Sequence, residues 1–107
     1  MPRWLPKVLA EIERLAAARR LSFTYKALRE LAALGLGLGP EDARDVLMAL
    51  ETSDSAGRRS SAITGEWMYV FKPVVETTVV YVKVILRGDC VVVSFHADEG
   101  AEDDQDA

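Results

Sequence analysis

Between residues 81 and 96 the chain reads YVKVILRGDCVVVSFH, and no other stretch restricts the fold as much. Two runs rich in valine and aromatics flank Gly88-Asp89, a pair that accepts positive φ, so the segment predicts a β-hairpin. A two-residue loop sets Arg87 against Cys90, Leu86 against Val91, Val84 against Val93 and Val82 against Phe95. Side chains alternate along a strand, so the apolar set from Leu86–Val91 through Val82–Phe95 is expected to face the core. The other face then carries Ile85 with Val92, Lys83 with Ser94, and Tyr81 with His96. Opposed side chains lie ~5 Å apart at Cβ, which makes Tyr81 and His96 predicted neighbours.

A further β-type run, EWMYVFK, precedes the hairpin. A four-residue loop at 73–76 would pair Lys72 with Thr77, Met68 with Tyr81 and Glu66 with Lys83, leaving Trp67 and Tyr69 on the core face. A change of one residue in that loop would reverse the strand. On this register Met68, Lys72, Tyr81, Lys83, Ser94 and His96 share the second face, with Glu66. The turn-rich SDSAGRRSSAITG upstream reads as a loop carrying Arg58 and Arg59.

The N-terminal half has helical periodicity. Leu5, Val8, Leu9, Ile12, Leu15 and Ala16 predict an amphipathic helix over about residues 5–19. Leu21-Ser22-Phe23 is expected to be a link, and Thr24 an N-cap for a second helix through about Leu34. Pro40, followed by Glu41 and Asp42, marks the start of a third, with Ala43, Val46, Leu47 and Leu50 as its buried stripe. GLGLG between them has no preceding strand and no following Lys-Ser/Thr pair, so it reads as a connector and not a phosphate cradle. Three helices and then an antiparallel meander predict an α+β domain, with N-terminal helices packed on one face of a small antiparallel sheet.

Charge and cysteine content narrow the function classes. The chain of 107 residues has a net charge of −4, but its last ten residues, DEGAEDDQDA, hold six acids and no base. Residues 1–97 therefore sum to +2, which describes a mildly cationic single domain with an acidic tail at 98–107, expected to be disordered. The tail could also act as a phosphate mimic that competes for a cationic site. One cysteine, Cys90, allows no internal disulfide and no multi-cysteine zinc site, and suits a reducing cytoplasm. No apolar run reaches the ~18 residues of a membrane span, and the charged N-terminus is unlike a secretion signal. A soluble cytoplasmic protein without membrane contact is expected.

The order LRELAALGLG, EWMYVFKP, VVYVKVILRGDCVVVSF resembles the MqsR family of type II toxins, small bacterial ribonucleases related in fold to the RelE-like toxins. The resemblance runs from about Ser22 to His96. It is carried by W-x-x-V-[aromatic]-[Lys/Arg]-P at Trp67 to Pro73, by Tyr81-x-Lys83, and by the closing V-S-F before His96. It implies an mRNA interferase that cleaves single-stranded mRNA, needs no metal or cofactor, and is held inactive by a cognate antitoxin. The family's functional tyrosine corresponds to Tyr81. Its basic residue after V-S-F corresponds to His96, where lysine is the expected type. A basic residue before the tryptophan corresponds to Arg58 or Arg59, and a polar amide after it falls on Met68, a departure that removes a hydrogen-bonding group.

Such residues suit metal-free RNA cleavage, in which a 2′-hydroxyl attacks the adjacent phosphorus. His96 is the one side chain whose ordinary pKa of ~6.5 serves either proton role near neutrality. Tyr81 would orient the hydroxyl or share the proton, and present a ring on which bases stack. An arginine at 58 or 59 offers a fork matched to phosphate, while Lys83, Lys72, Ser94 and Met68 complete the substrate-binding surface. A Cys90–His96 nucleophile pair is not expected, because three same-face positions separate them along the strand, some ~20 Å. Two other readings stay open: a degenerate module of the same fold that holds RNA or protein without cutting, and a helper subunit whose polar face is simply covered by a partner.

Overall fold

The computed structural model describes residues 1–99. In chain order it comprises α1 (Trp4–Ala17), β1 (Leu21–Phe23), α2 (Tyr25–Ala33), α3 (Pro40–Met48), β2 (Ser55–Ser60), β3 (Trp67–Phe71), β4 (Val74–Val75), β5 (Thr78–Leu86) and β6 (Cys90–Ala97), with a short 3-10 turn at Thr52–Asp54. The architecture is α+β, with the helices at the N-terminus packed against a sheet of strand order β1-β6-β5-β3-β2. The sheet is mixed. Leu21–Phe23, expected as a link, pairs in parallel with Cys90–Val92 at its edge. The acidic tail beyond Glu99 lies outside the described residues. Among the described residues no helix is long and apolar enough to cross a membrane.

Local chemistry sets the helix limits. In α1 the residues Leu5, Val8, Ile12, Leu15 and Ala16 recur at three- and four-residue spacing and are buried together. The helix ends where Arg19 takes a left-handed φ of 60° and the Arg20 N–H returns to the Leu15 carbonyl at 2.8 Å, a closure usually built with glycine. Thr24 caps α2, its Oγ1 accepting from the Ala27 N–H at 3.1 Å. Thr24→Ala should cost about 1 kcal/mol of stability, read as a lower urea midpoint at unchanged slope. In α3 the Asp42 carboxylate accepts from the Gly39 N–H at 2.8 Å, with Pro40 in the first turn. Between α2 and α3 the glycines serve as a connector, Gly35 and Gly37 holding φ of 76° and 71°.

The core lies between these helices and one sheet face, joining Ile12, Leu15, Ala27 and Leu47 to Phe71, Val82, Val84, Val92 and Phe95. The hairpin register differs from expectation in two places that cancel. The loop has three residues, with Leu86 opposite Cys90, Ile85 opposite Val91 and Val84 opposite Val92. A β-bulge follows between Lys83 and Val84, and from there Lys83–Ser94, Val82–Phe95 and Tyr81–His96 pair as expected. Near the turn it is therefore Cys90 and Val92 that enter the core, fully buried, in place of Val91 and Val93. A bulge restores parity because it sets two residues against one.

The preceding strand keeps the expected faces but slides along its partner. Tyr69 pairs with Val84, Val70 with Lys83 and Phe71 with Val82. The turn is the two-residue Glu76-Thr77, since Val75 pairs with Thr78 across β4, and not a four-residue loop at 73–76. Glu76 takes φ of 58° to close it. Glu66 consequently meets Arg87, accepting both forks at 2.8 and 2.7 Å, and not Lys83. Its carboxyl is held below the usual range by that arginine. The stretch read as a loop around Arg58 and Arg59 is edge strand β2, paired antiparallel with β3 around an irregularity between Ser55 and Arg58.

Candidate functional site

The strand faces now sort the polar residues. Arg58 pairs with Tyr69, whose neighbour Val84 is in the core, so Arg58 lies on the helix side of the sheet. Its guanidinium stands 3.8 Å from the Trp67 ring centroid and 4.9 Å from that of Trp4 in α1. Trp4 in turn tilts against Tyr69 at 5.5 Å. This cation between two indoles fastens the sheet edge to α1, a role that sequence spacing gave no means of reading. Arg59 pairs with Met68 and so falls on the opposite face, the one shared by Lys83, Tyr81 and His96. Alternation of neighbours on one strand thus separates two arginines that sequence alone left equivalent.

On that second face Tyr81 and His96 are opposed across β5 and β6, their rings stacked at 4.9 Å with an interplanar angle of 12°. Lys72 Nζ stands 6.0 Å from the Tyr81 ring centroid and 3.4 Å from Asp98 Oδ1. His96 Nδ1 lies 2.8 Å from the Ala97 carbonyl oxygen. A carbonyl only accepts, so Nδ1 is the donor of that bond. One row away Lys83 stands between Val70 and Ser94, and beyond it Arg59 beside Met68. The residues Arg59, Met68, Lys72, Tyr81, Lys83, Ser94 and His96 are therefore brought to one face, and Arg58 is not.

The face is more enclosed than a one-sided sheet meeting water. Tyr81 keeps 1 % and Lys83 4 % of its surface exposed, and Ser94 is fully buried, whereas His96 is half-buried. Tyr81 is thus a support beneath His96 and not an outward platform for bases.

Two further residues, Lys26 and Glu30 on α2, hold this part of β6. Lys26 Nζ donates to Ser94 Oγ at 3.0 Å and pairs with Glu30 at 2.9 Å. Glu30 Oε1 accepts from the Phe95 N–H at 2.9 Å, taking the place of a neighbouring strand where β1 has ended. The sole sequence signal for them was an i, i+4 Lys–Glu spacing, which is common on exposed helices. A groove of about 420 Å³ lined by Glu30, Leu34, His96 and Glu99 opens beside the histidine.

Cys90 takes no part. The bulge puts it on the core face, away from His96, so the pair fails by direction and not only by distance along the strand. Burial pushes its thiol from an ordinary 9.0 up to about 12. The folded protein then holds the thiol proton where the unfolded chain releases it. The stability that Cys90 contributes is whole below about pH 9 and is lost as pH rises through 12. Urea midpoints measured from pH 8 to 11 should fall more steeply for the unmodified chain than for Cys90→Ala. Among the described residues no cluster of three or more His, Cys, Asp or Glu is placed to hold a metal ion.

Comparison with protein families gives a match over residues 6–97 to the family described as "Motility quorum-sensing regulator, toxin of MqsA". The search of curated proteins finds no match.

Proposed function

This chain belongs to the MqsR toxin family, and on that premise we propose that it is a metal-independent endoribonuclease acting on single-stranded mRNA. Membership makes it the toxin of a toxin–antitoxin pair, with an antitoxin of the MqsA kind as partner. The observation that most supports the catalytic reading is the stacked Tyr81–His96 pair at one end of a face carrying Arg59, Lys72 and Lys83.

In this reading the neutral His96 ring, its Nδ1–H engaged by the Ala97 carbonyl, uses Nε2 to take the proton of a 2′-hydroxyl. The freed oxygen attacks the adjacent phosphorus, the bond to the 5′-oxygen breaks, and that oxygen leaves as a 5′-hydroxyl after taking a proton from water. The other product is a 2′,3′-cyclic phosphate. Tyr81, stacked beneath His96, fixes the plane of its ring. Arg59 and Lys83 stabilise the charge that gathers on the phosphorane, a contribution that can exceed proton transfer itself. Arg59→Ala should therefore lower cleavage by at least tenfold while Arg58→Ala, on the far face, acts through stability alone. Initial rates on one transcript, compared with each variant's urea midpoint, check that difference.

The deciding experiment incubates purified protein with a long transcript in excess EDTA and maps the new ends. Cuts bearing 2′,3′-cyclic phosphates support the proposal. An intact transcript, or cutting that EDTA abolishes, rejects it. Met68, an apolar side chain beside Arg59 where the family pattern has a polar amide, favours one rival: a module that holds RNA without cutting it. Salt-sensitive binding to RNA that stays whole would establish that rival.

A further inference from the structure

We propose that Lys26 is a substrate-binding residue of the same site, its ammonium taking a phosphate that neighbours the one reacting at His96. The inference rests on the reading that this face binds single-stranded RNA. It adds a cation from a helix, which strand alternation does not place there.

Three observations carry it. Lys26 belongs to α2, yet its Nζ donates to Ser94 Oγ at 3.0 Å, which brings the charge to the second face of the sheet. Ser94 and His96 are two residues apart on that face of β6, ~7 Å along the strand. The ammonium is also held in place. Glu30, one helical turn on, pairs with it at 2.9 Å and accepts with its other oxygen from the Phe95 N–H at 2.9 Å. Lys26 is thereby fixed against the two residues that precede His96. An ammonium has three hydrogens; Ser94 and Glu30 engage two, and the third is open to a phosphate oxygen. Exposure decides the rest. Lys83, facing Ser94 across β5 and β6, keeps 4 % of its surface open, whereas the Lys26 side chain keeps 48 %. Of the two ammoniums beside Ser94, Lys26 is the one a polyanion meets without moving its neighbours aside. A phosphate bound there releases condensed counterions from the strand, a main source of affinity for nucleic acid.

The test uses a strand that cannot be cut, a fluorescent 2′-O-methyl oligouridylate, and so reads binding apart from cleavage. Affinity is measured from ~0.05 to ~0.5 M salt for the unmodified chain, Lys26→Gln, Lys26→Arg and Lys7→Gln. Glutamine keeps a donor for Ser94 and removes the charge. Lys26→Gln should lower the slope of log affinity against log salt by about 0.7, the value of one phosphate contact on a single strand. Binding at ~0.05 M salt should weaken about eightfold. Lys26→Arg should keep the parent slope. Lys7, exposed on α1 across the core, controls for net charge alone and should leave the slope unchanged. A parent-like slope in Lys26→Gln, or the same drop in Lys26→Arg or Lys7→Gln, overturns this proposal and leaves the RNA-binding reading standing. An unmodified chain that binds no strand at any salt concentration overturns both.

Discussion

His96→Ala should slow RNA cleavage by about two orders of magnitude or more while leaving the urea midpoint nearly unchanged. The separation of the two effects follows from the position of the ring. His96 is half-buried at the end of β6, stacks on Tyr81, and lies beside the carbonyl of Ala97. Its loss removes a base without opening the core. Tyr81→Phe keeps the stack and removes one hydroxyl, so it should bring a comparable loss if the phenol takes part in proton transfer, and a small one if it serves as a shelf. The double variant should fall little below His96→Ala, because groups that act as a unit are strongly non-additive. Single-turnover rates over pH 5–9 distinguish these outcomes. A His96→Ala rate within threefold of the parent would remove the histidine from the mechanism.

Phe95→Ala should destabilise the fold by about 3–5 kcal/mol, the range for a large aromatic removed from a closed core. Phe95 is fully buried, pairs with Val82, and lies in the cluster that joins α1, α2 and α3 to the sheet. Its main-chain N–H would still reach Glu30, so the loss belongs to the ring and to the cavity it leaves. In a domain of this size a thermal midpoint lower by about 15 °C or more is expected. A loss below about 1 kcal/mol would mean that the helices can close over the gap. Residual activity at low temperature should remain measurable, since neighbouring His96 and Ser94 point to the other face.

The helices were legible because their signals are local. Thr24, Pro40 and the spacing of Leu5, Val8, Ile12 and Leu15 each act within a turn or two of chain. Strands β3, β5 and β6 were legible as strands, and the pairing of Tyr81 with His96 was correct. That pairing survived because two deviations cancelled, a loop one residue longer than expected and a bulge at Val93. Neither has a sharp sequence mark: Arg87-Gly88-Asp89 contains the same Gly-Asp that closes a two-residue turn, and valine stands on both sides of the bulge. The edge strand at Ser55–Ser60 was missed because its glycine, serines and arginines resemble a loop. An edge strand needs only backbone partners on one side, so its side chains need not be β-formers.

By itself the sequence determined the three helices and the strands β3, β5 and β6, and that Tyr81 and Lys83 face away from the core while Val82 between them enters it. It also determined that a tyrosine and the chain's one histidine meet across a hairpin. Tertiary structure alone decided which arginine joins them, that Glu66 pairs with Arg87, that Cys90 is a core residue, and that Lys26 and Glu30 brace β6. The physical reason is the two-residue period of a strand. Alternation is fixed within each strand, but the offset between strands depends on turns and bulges closed by backbone hydrogen bonds, and one residue of offset exchanges the faces.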